Sequence, residues 1–146
     1  MTPVLVDSNV LIDVATSDPV WEPWSSGALR RALDEAVVVI NAIVYGELAI
    51  GFPTMEELDA SLPADLYRRE GLPYAAAYLA GRCYRDYRRR GGSRTSPLPD
   101  FYIGAHAAVA GYRLLTRDTS RYRTYFPTLE LIAPERSEEQ AWTSDS

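Results

Sequence analysis

The chain has 146 residues and a mass of 16.3 kDa, with 47% apolar and 24% charged residues, a size and composition that exclude two independent cores and wholesale disorder. Its 15 basic residues are all arginine, and it holds one cysteine, Cys83, and one histidine, His106. These counts exclude a Walker A loop, a Schiff-base lysine, an intrachain disulfide and four-cysteine or paired-histidine metal sites, so any metal must be held by oxygen.

The net charge of −5 is unevenly spread, because ten of the arginines fall in residues 82–123 against Asp86, Asp100 and Asp118 alone. No apolar run, Ala36 to Ile40 among them, approaches the roughly 20 residues that cross a bilayer. The N-terminus shows no basic region ahead of an apolar one, so a cytoplasmic protein is expected.

Pro3-Val4-Leu5-Val6 and Val37-Val38-Val39-Ile40 read as strands buried on both faces. Between them, Ser8 or Asn9 is placed to cap a first helix, and a second helix over about 23–36 carries Ala28, Leu29, Ala32 and Leu33 on one face. A third helix is expected from about Ala42 to Ile50, and Thr54 with Glu57 forms a capping-box pattern for a short one. Residues 63–73 show no clear pattern. A long helix over about 74–90 places Ala76, Leu79, Ala80, Cys83 and Tyr87 on one stripe and Arg82, Arg85 and Arg89 on another. A further helix starts at Pro99-Asp100, and strands are expected at 113–116 and 129–132, separated by an Arg- and Tyr-rich segment. This alternation predicts an α/β fold, a three-layer sandwich around a parallel sheet of four or five strands. One domain over 1–133 and a polar, flexible tail over 134–146 are expected.

Four acids stand out. Asp7 and Asp118 follow strands, at the carboxyl edge where open parallel sheets build their sites, although a cap or turn role accounts for either one equally well when taken singly. Glu47 lies four residues after Ile43, three after Val44 and three before Ile50, inside an apolar stripe, where a carboxylate needs a partner. Asp100 shares a face with Ile103 and Ala107 in the first turn of its helix, a place the helix dipole also favours. Four converging acids with no lysine among them repel one another unless a cation neutralises them. Oxygen ligands favour Mg2+ or Mn2+, which keep coordination positions for water and a phosphate oxygen, so phosphodiester hydrolysis is the matching chemistry.

The strings that carry these acids resemble the motifs of the PIN-domain ribonucleases, and within them the VapC-type toxins of toxin-antitoxin pairs. VDSNVLID is similar to the first motif, with Asp7 and the small polar residues Ser8 and Asn9; NAIVYGELAIG resembles the second, with Glu47; LPDFYIGAHA the third, with Asp100; and LLTRD the fourth, with Thr116 and Asp118. The resemblance covers roughly residues 4–133. It implies a Mg2+- or Mn2+-dependent endoribonuclease that works as a homodimer and is silenced by an antitoxin. Asp7, Asp100, Asp118 and Glu47 would hold the metal, Glu47 would also serve the attacking water, and Ser8, Asn9 and Thr116 would support them.

The third motif departs from the family's usual pattern in Phe101, Tyr102 and His106. On an ideal helix His106 is about 240° round from Asp100, so a surface or capping role is expected for it rather than a place on the same ion. Arg117, Arg121 and Arg123, with Tyr122 and Tyr125, adjoin Asp118 and are the candidates for guiding RNA phosphates. Arg82, Arg85 and Arg89 form an arginine face that suits RNA or a plain solvated surface equally. Trp21 and Trp24 are expected to pack over the sheet edge, and Cys83 to be inert core. A haloacid dehalogenase-like phosphatase also opens with a strand and an aspartate, but it needs a second acid where this chain has Asn9 and often uses a lysine. A non-catalytic PIN-like binding module, its acids mere caps, is the remaining alternative.

Overall fold

A computed structural model describes residues 2–95 and 98–135. In chain order these form β1 (Val4–Val6), α1 (Ser8–Thr16), α2 (Glu22–Glu35), β2 (Val38–Asn41), α3 (Ala42–Ala49), α4 (Met55–Ser61), β3 (Tyr67–Glu70), α5 (Tyr74–Arg89), α6 (Pro99–Ala110), β4 (Arg113–Leu115), α7 (Ser120–Tyr125) and β5 (Leu131–Ile132). The five strands make one wholly parallel sheet in the order β3-β2-β1-β4-β5. Val4, Leu5 and Val6 are all fully buried; since successive side chains point to opposite faces, helices must cover both sides, which gives the three-layer sandwich. The tail expected from residue 134 lies outside the described residues from 136 onward.

The chain winds from β1 through β2 to β3 in one direction and returns to the other side of β1 for β4 and β5. The reversal falls between β1 and β4. In open parallel sheets a crevice forms at that point, outside the carboxyl ends of the strands, and Asp7 follows β1 there just as Thr116 follows β4.

Four local readings need correction. Residues 63–73 contain β3, an edge strand whose Arg68 and Arg69 are exposed and whose Tyr67 alone is buried, so no apolar run marked it. The Arg- and Tyr-rich segment contains α7, a helix of six residues that buries Tyr122. Neither Ser8 nor Asn9 caps α1: the cap position is Asp7, and no side chain closes that end. Ile50 is 90% exposed because α3 stops at Ala49, so the apolar stripe around Glu47 ends with Val44 and Leu48. Elsewhere local chemistry acts as expected. Thr54 caps α4 by accepting from the Glu57 amide at 3.1 Å.

The middle of α6 is buried on every side, from Ile103 through Ala107, so His106 is a core residue and not the surface or capping histidine expected. Gly104 lets this helix approach the Phe126 ring, which stands 2.5 Å from where a Cβ would be. Phe126 is itself buried and cannot swing aside. Gly104→Ala is therefore expected to destabilise the fold by about 1–3 kcal/mol, against the usual benefit of alanine in a helix; urea denaturation checks this, and an unchanged midpoint would show that the ring gives way freely.

Candidate active site

Asp7 lies in the crevice. Its amide donates to Leu115 O at 2.9 Å, which pins the backbone to the end of β4, and its side chain is buried. One carboxylate oxygen, Oδ2, accepts from the Tyr122 hydroxyl at 2.8 Å, from Thr116 Oγ1 at 2.9 Å and from Asn9 Nδ2 at 3.4 Å. The other, Oδ1, has among the described residues only the Ser8 hydroxyl at 3.5 Å, and the single proton of that hydroxyl serves Glu47 Oε1 at 2.8 Å instead. Asp7 is thus held chiefly by one oxygen.

Burial is the largest influence on Asp7 and the Asp100 carboxylate the next; they outweigh the hydrogen bonds from Tyr122 and Thr116 and push its pKa up to about 7. Burial also raises Glu47, with the Ser8 hydrogen bond opposing and Asp100 adding to the rise. Asp100 is raised too, chiefly by burial, although Arg121 opposes this from 3.4 Å. Asp118 sits at the rim, exposed, its side chain accepting from the Ser120 hydroxyl at 3.3 Å, and its charge is felt by Asp100. The four acids therefore gather at one end of the sheet, where Asp7, Glu47 and Asp100 are all raised. Among the described residues no three acidic, histidine or cysteine side chains converge tightly enough to hold an ion unaided.

The small polar residues form the scaffold beneath the acids. Asn9 donates to Thr116 Oγ1 at 3.2 Å as well as to Asp7, and its Oδ1 accepts from the Arg117 amide at 3.4 Å. Thr116 Oγ1 accepts in turn from the Asp118 amide at 3.2 Å, which fixes the turn that carries Asp118. Tyr122 is the residue that sequence reasoning placed among the phosphate guides and that the fold makes a buried partner of Asp7. Its signal was available: read as a helix, residues 119–126 put Tyr122, Tyr125 and Phe126 on one face.

The arginines divide. Arg121 stands at the site, against Asp100 and over the rings of Tyr87 and Phe101. Arg117 is turned toward Asp13, which it grips through Nε at 2.7 Å and a terminal nitrogen at 3.2 Å, with its plane over Trp21. Arg123 is exposed on α7. Arg82, Arg85 and Arg89 are exposed along α5 on the side opposite the buried Ala76, Ala80 and Cys83, and the fold does not bring them to the acids. Trp21 is buried and meets Trp24 edge to face at 6.4 Å. Cys83 is buried as well.

A sequence model of the PIN domain matches residues 4–127, most of the chain. The protein belongs to the PIN-domain family. Among solved structures this PIN domain is similar to a chain of VapBC2 from Rickettsia felis bound to a DNA fragment from its promoter, with 16% identity and a TM-score of 0.67 over 90% of this chain and 98% of that one. It is also similar to a chain of DNA-bound VapBC from Salmonella typhimurium, at 20% identity and 0.65 over 91% and 98%. A chain of FitAcB from Neisseria gonorrhoeae matches at 20% and 0.61 over 88% and 96%. At such identities the likeness establishes the fold. No curated protein sequence matches. Among the described residues no helix is long and apolar enough to cross a membrane.

Proposed function

We propose that this PIN domain is a Mg2+- or Mn2+-dependent endoribonuclease acting as the VapC-type toxin of a toxin-antitoxin pair. The observation that carries the reading is the gathering of Asp7, Glu47, Asp100 and Asp118 at the switch point of the sheet, where burial and mutual repulsion raise three of them. Such a donor set fits a hard divalent cation, which takes a few carboxylates and completes its shell with water. Asp7, Asp100 and Asp118 would hold the ion. When bound, it supplies positive charge against the phosphate oxygens and activates water for attack.

The remaining work falls to this chain's own side chains. Glu47, half buried and ordered by Ser8, would take the proton of the attacking water, and its raised pKa suits a base that must release that proton again. Tyr122, Thr116 and Asn9 hold Asp7 in one orientation. Arg121, now against Asp100 at 3.4 Å, would serve a substrate phosphate. Arg117 and Arg123 flank the same turn, and Arg82, Arg85 and Arg89 offer a secondary phosphate-binding face. A toxin-antitoxin complex from Klebsiella pneumoniae is also among the similar solved structures, which supports an antitoxin partner for this chain, and a homodimer is the assembly proposed. The phosphatase alternative loses ground because Asn9 donates its amide to Asp7 where that chemistry needs an acid.

Single-turnover cleavage of total RNA with manganese tests the proposal. Glu47→Gln is expected to slow cleavage by at least about 100-fold while the chain stays folded, and expression of the parent but not the variant should arrest growth. Full activity of the glutamine variant would remove Glu47 from the chemistry, and a parent inert toward RNA would remove the nuclease reading.

A further inference from the structure

His106 is fully buried yet takes no part in the cluster of acids. Its Nδ1 meets Asn41 Nδ2 at 3.0 Å, and its Nε2 meets Glu70 Oε1 at 3.2 Å. The Asn41 Oδ1 is already committed, since it accepts from the Val44 amide at 3.0 Å and caps α3. Asn41 must therefore donate to the ring, so Nδ1 is the acceptor and the ring proton lies on Nε2, facing Glu70. That carboxylate is fixed in turn by the Tyr112 hydroxyl at 2.8 Å and by Arg68 at 2.9 Å. The imidazole is thus locked in one tautomer and one orientation.

The register of this contact is informative. Glu47 lies six residues beyond Asn41 along α3, and Asp100 lies six residues before His106 along α6. Asn41 ends β2 and caps α3, so the hydrogen bond ties the start of the helix that carries Glu47 to the middle of the helix that carries Asp100, and the two helices are in direct contact. The two acids are near enough for the charge of Asp100 to be felt at Glu47. We propose that the Asn41–His106 hydrogen bond is a positioning link that sets the spacing of α3 and α6, hence of Glu47 and Asp100, and thereby the affinity for a divalent cation. This inference rests on the metal-dependent reading above and adds His106 to it as a positioning residue.

Two conservative variants separate the two ends of the ring. His106→Asn retains an acceptor at the Nδ1 position and loses the reach to Glu70, whereas His106→Gln retains a donor toward Glu70 and loses the acceptor for Asn41. Titration calorimetry with manganese on the folded proteins is expected to show affinity within about twofold of the parent for His106→Asn and about tenfold weaker for His106→Gln. Thermal unfolding without metal is expected to fall in both. Cleavage by His106→Gln should recover at saturating manganese. Should His106→Gln fail to fold, Asn41→Ser keeps a cap for α3 but cannot reach the ring, and it should weaken manganese binding about tenfold as well. Equal affinity in the two histidine variants, or unchanged affinity in Asn41→Ser, would overturn the link alone. A parent that neither binds manganese nor cleaves RNA would overturn the link together with the nuclease reading.

Discussion

Asp7→Asn is expected to abolish manganese binding and RNA cleavage while making the metal-free protein more stable at neutral and alkaline pH. The substitution preserves the part of Asp7 that holds it in place, because the amide oxygen can take the position of Oδ2 under Tyr122, Thr116 and Asn9. The amide nitrogen then replaces Oδ1 and faces the other carboxylates as a donor. The pH dependence follows from the raised pKa. In the unfolded chain Asp7 loses its proton near 3.8, in the folded protein near 7, so the folded state binds more protons throughout that window. The stability contributed is complete below about pH 4 and is lost as pH rises through 7, an effect on the order of 4 kcal/mol at most. Asp100 and Glu47 are raised also and act in the same direction. Melting curves at pH 4 and pH 8 without metal are the measurement. Parent and variant should lie close together at pH 4 and the variant should melt higher at pH 8; a variant that is less stable at both would show that the Asp7 carboxylate is a structural group in its ionised form.

The largest loss of stability is expected from Arg117→Ala. Asp13 is buried to 1% exposure, and its partners are the Arg117 guanidinium and the Ser25 hydroxyl at 2.7 Å. Removal of the arginine strands a carboxylate among α1, α2 and the turn after β4, and breaking a buried pair from one side costs about 3–5 kcal/mol. Ser25 still donates, so the lower end applies, about 3 kcal/mol or roughly 10 °C in melting temperature. Adding Asp13→Asn to that variant should restore much of the loss, as a double-mutant cycle measures. The same pair of proteins separates two roles for Arg117. If the arginine also meets RNA, the stabilised double variant keeps a raised KM; if it serves only to hold the turn that carries Asp118, KM returns toward the parent value.

The apolar strands β1, β2 and β4 were legible because each is covered on both faces and so reads as an unbroken β-branched or leucine run. The positions of Asp7 and Asp118 at one sheet edge were legible for the same reason, since strand ends fix where the next residue emerges, whereas Glu47 and Asp100 were singled out by the helix faces they share with apolar residues. What escaped notice depends on tertiary context. β3 is held by its neighbour β2 and by side-chain pairs of Arg68 and Arg69, not by apolar content. His106 was correctly placed off the Asp100 face, yet burial all round α6 leaves no solvent side for it to occupy. Ile50 suggested an apolar stripe that α3 is too short to possess. Tyr122 was seen as an aromatic among arginines, and its bond to Asp7 spans 115 positions, a distance over which no local pattern carries information.

The ends of the sheet bear on how this molecule meets other proteins. At one margin Arg68 and Arg69 project from β3, one paired to Glu70 and resting against Tyr112, the other paired to Asp59 and resting against Tyr45. At the other, β5 is only two residues long. A charged border and a very short one both disfavour the addition of a foreign strand. Extension of the sheet is thus disfavoured at either margin, which leaves the helical surfaces, where side-chain shape and charge, not main-chain pairing, decide which partner fits.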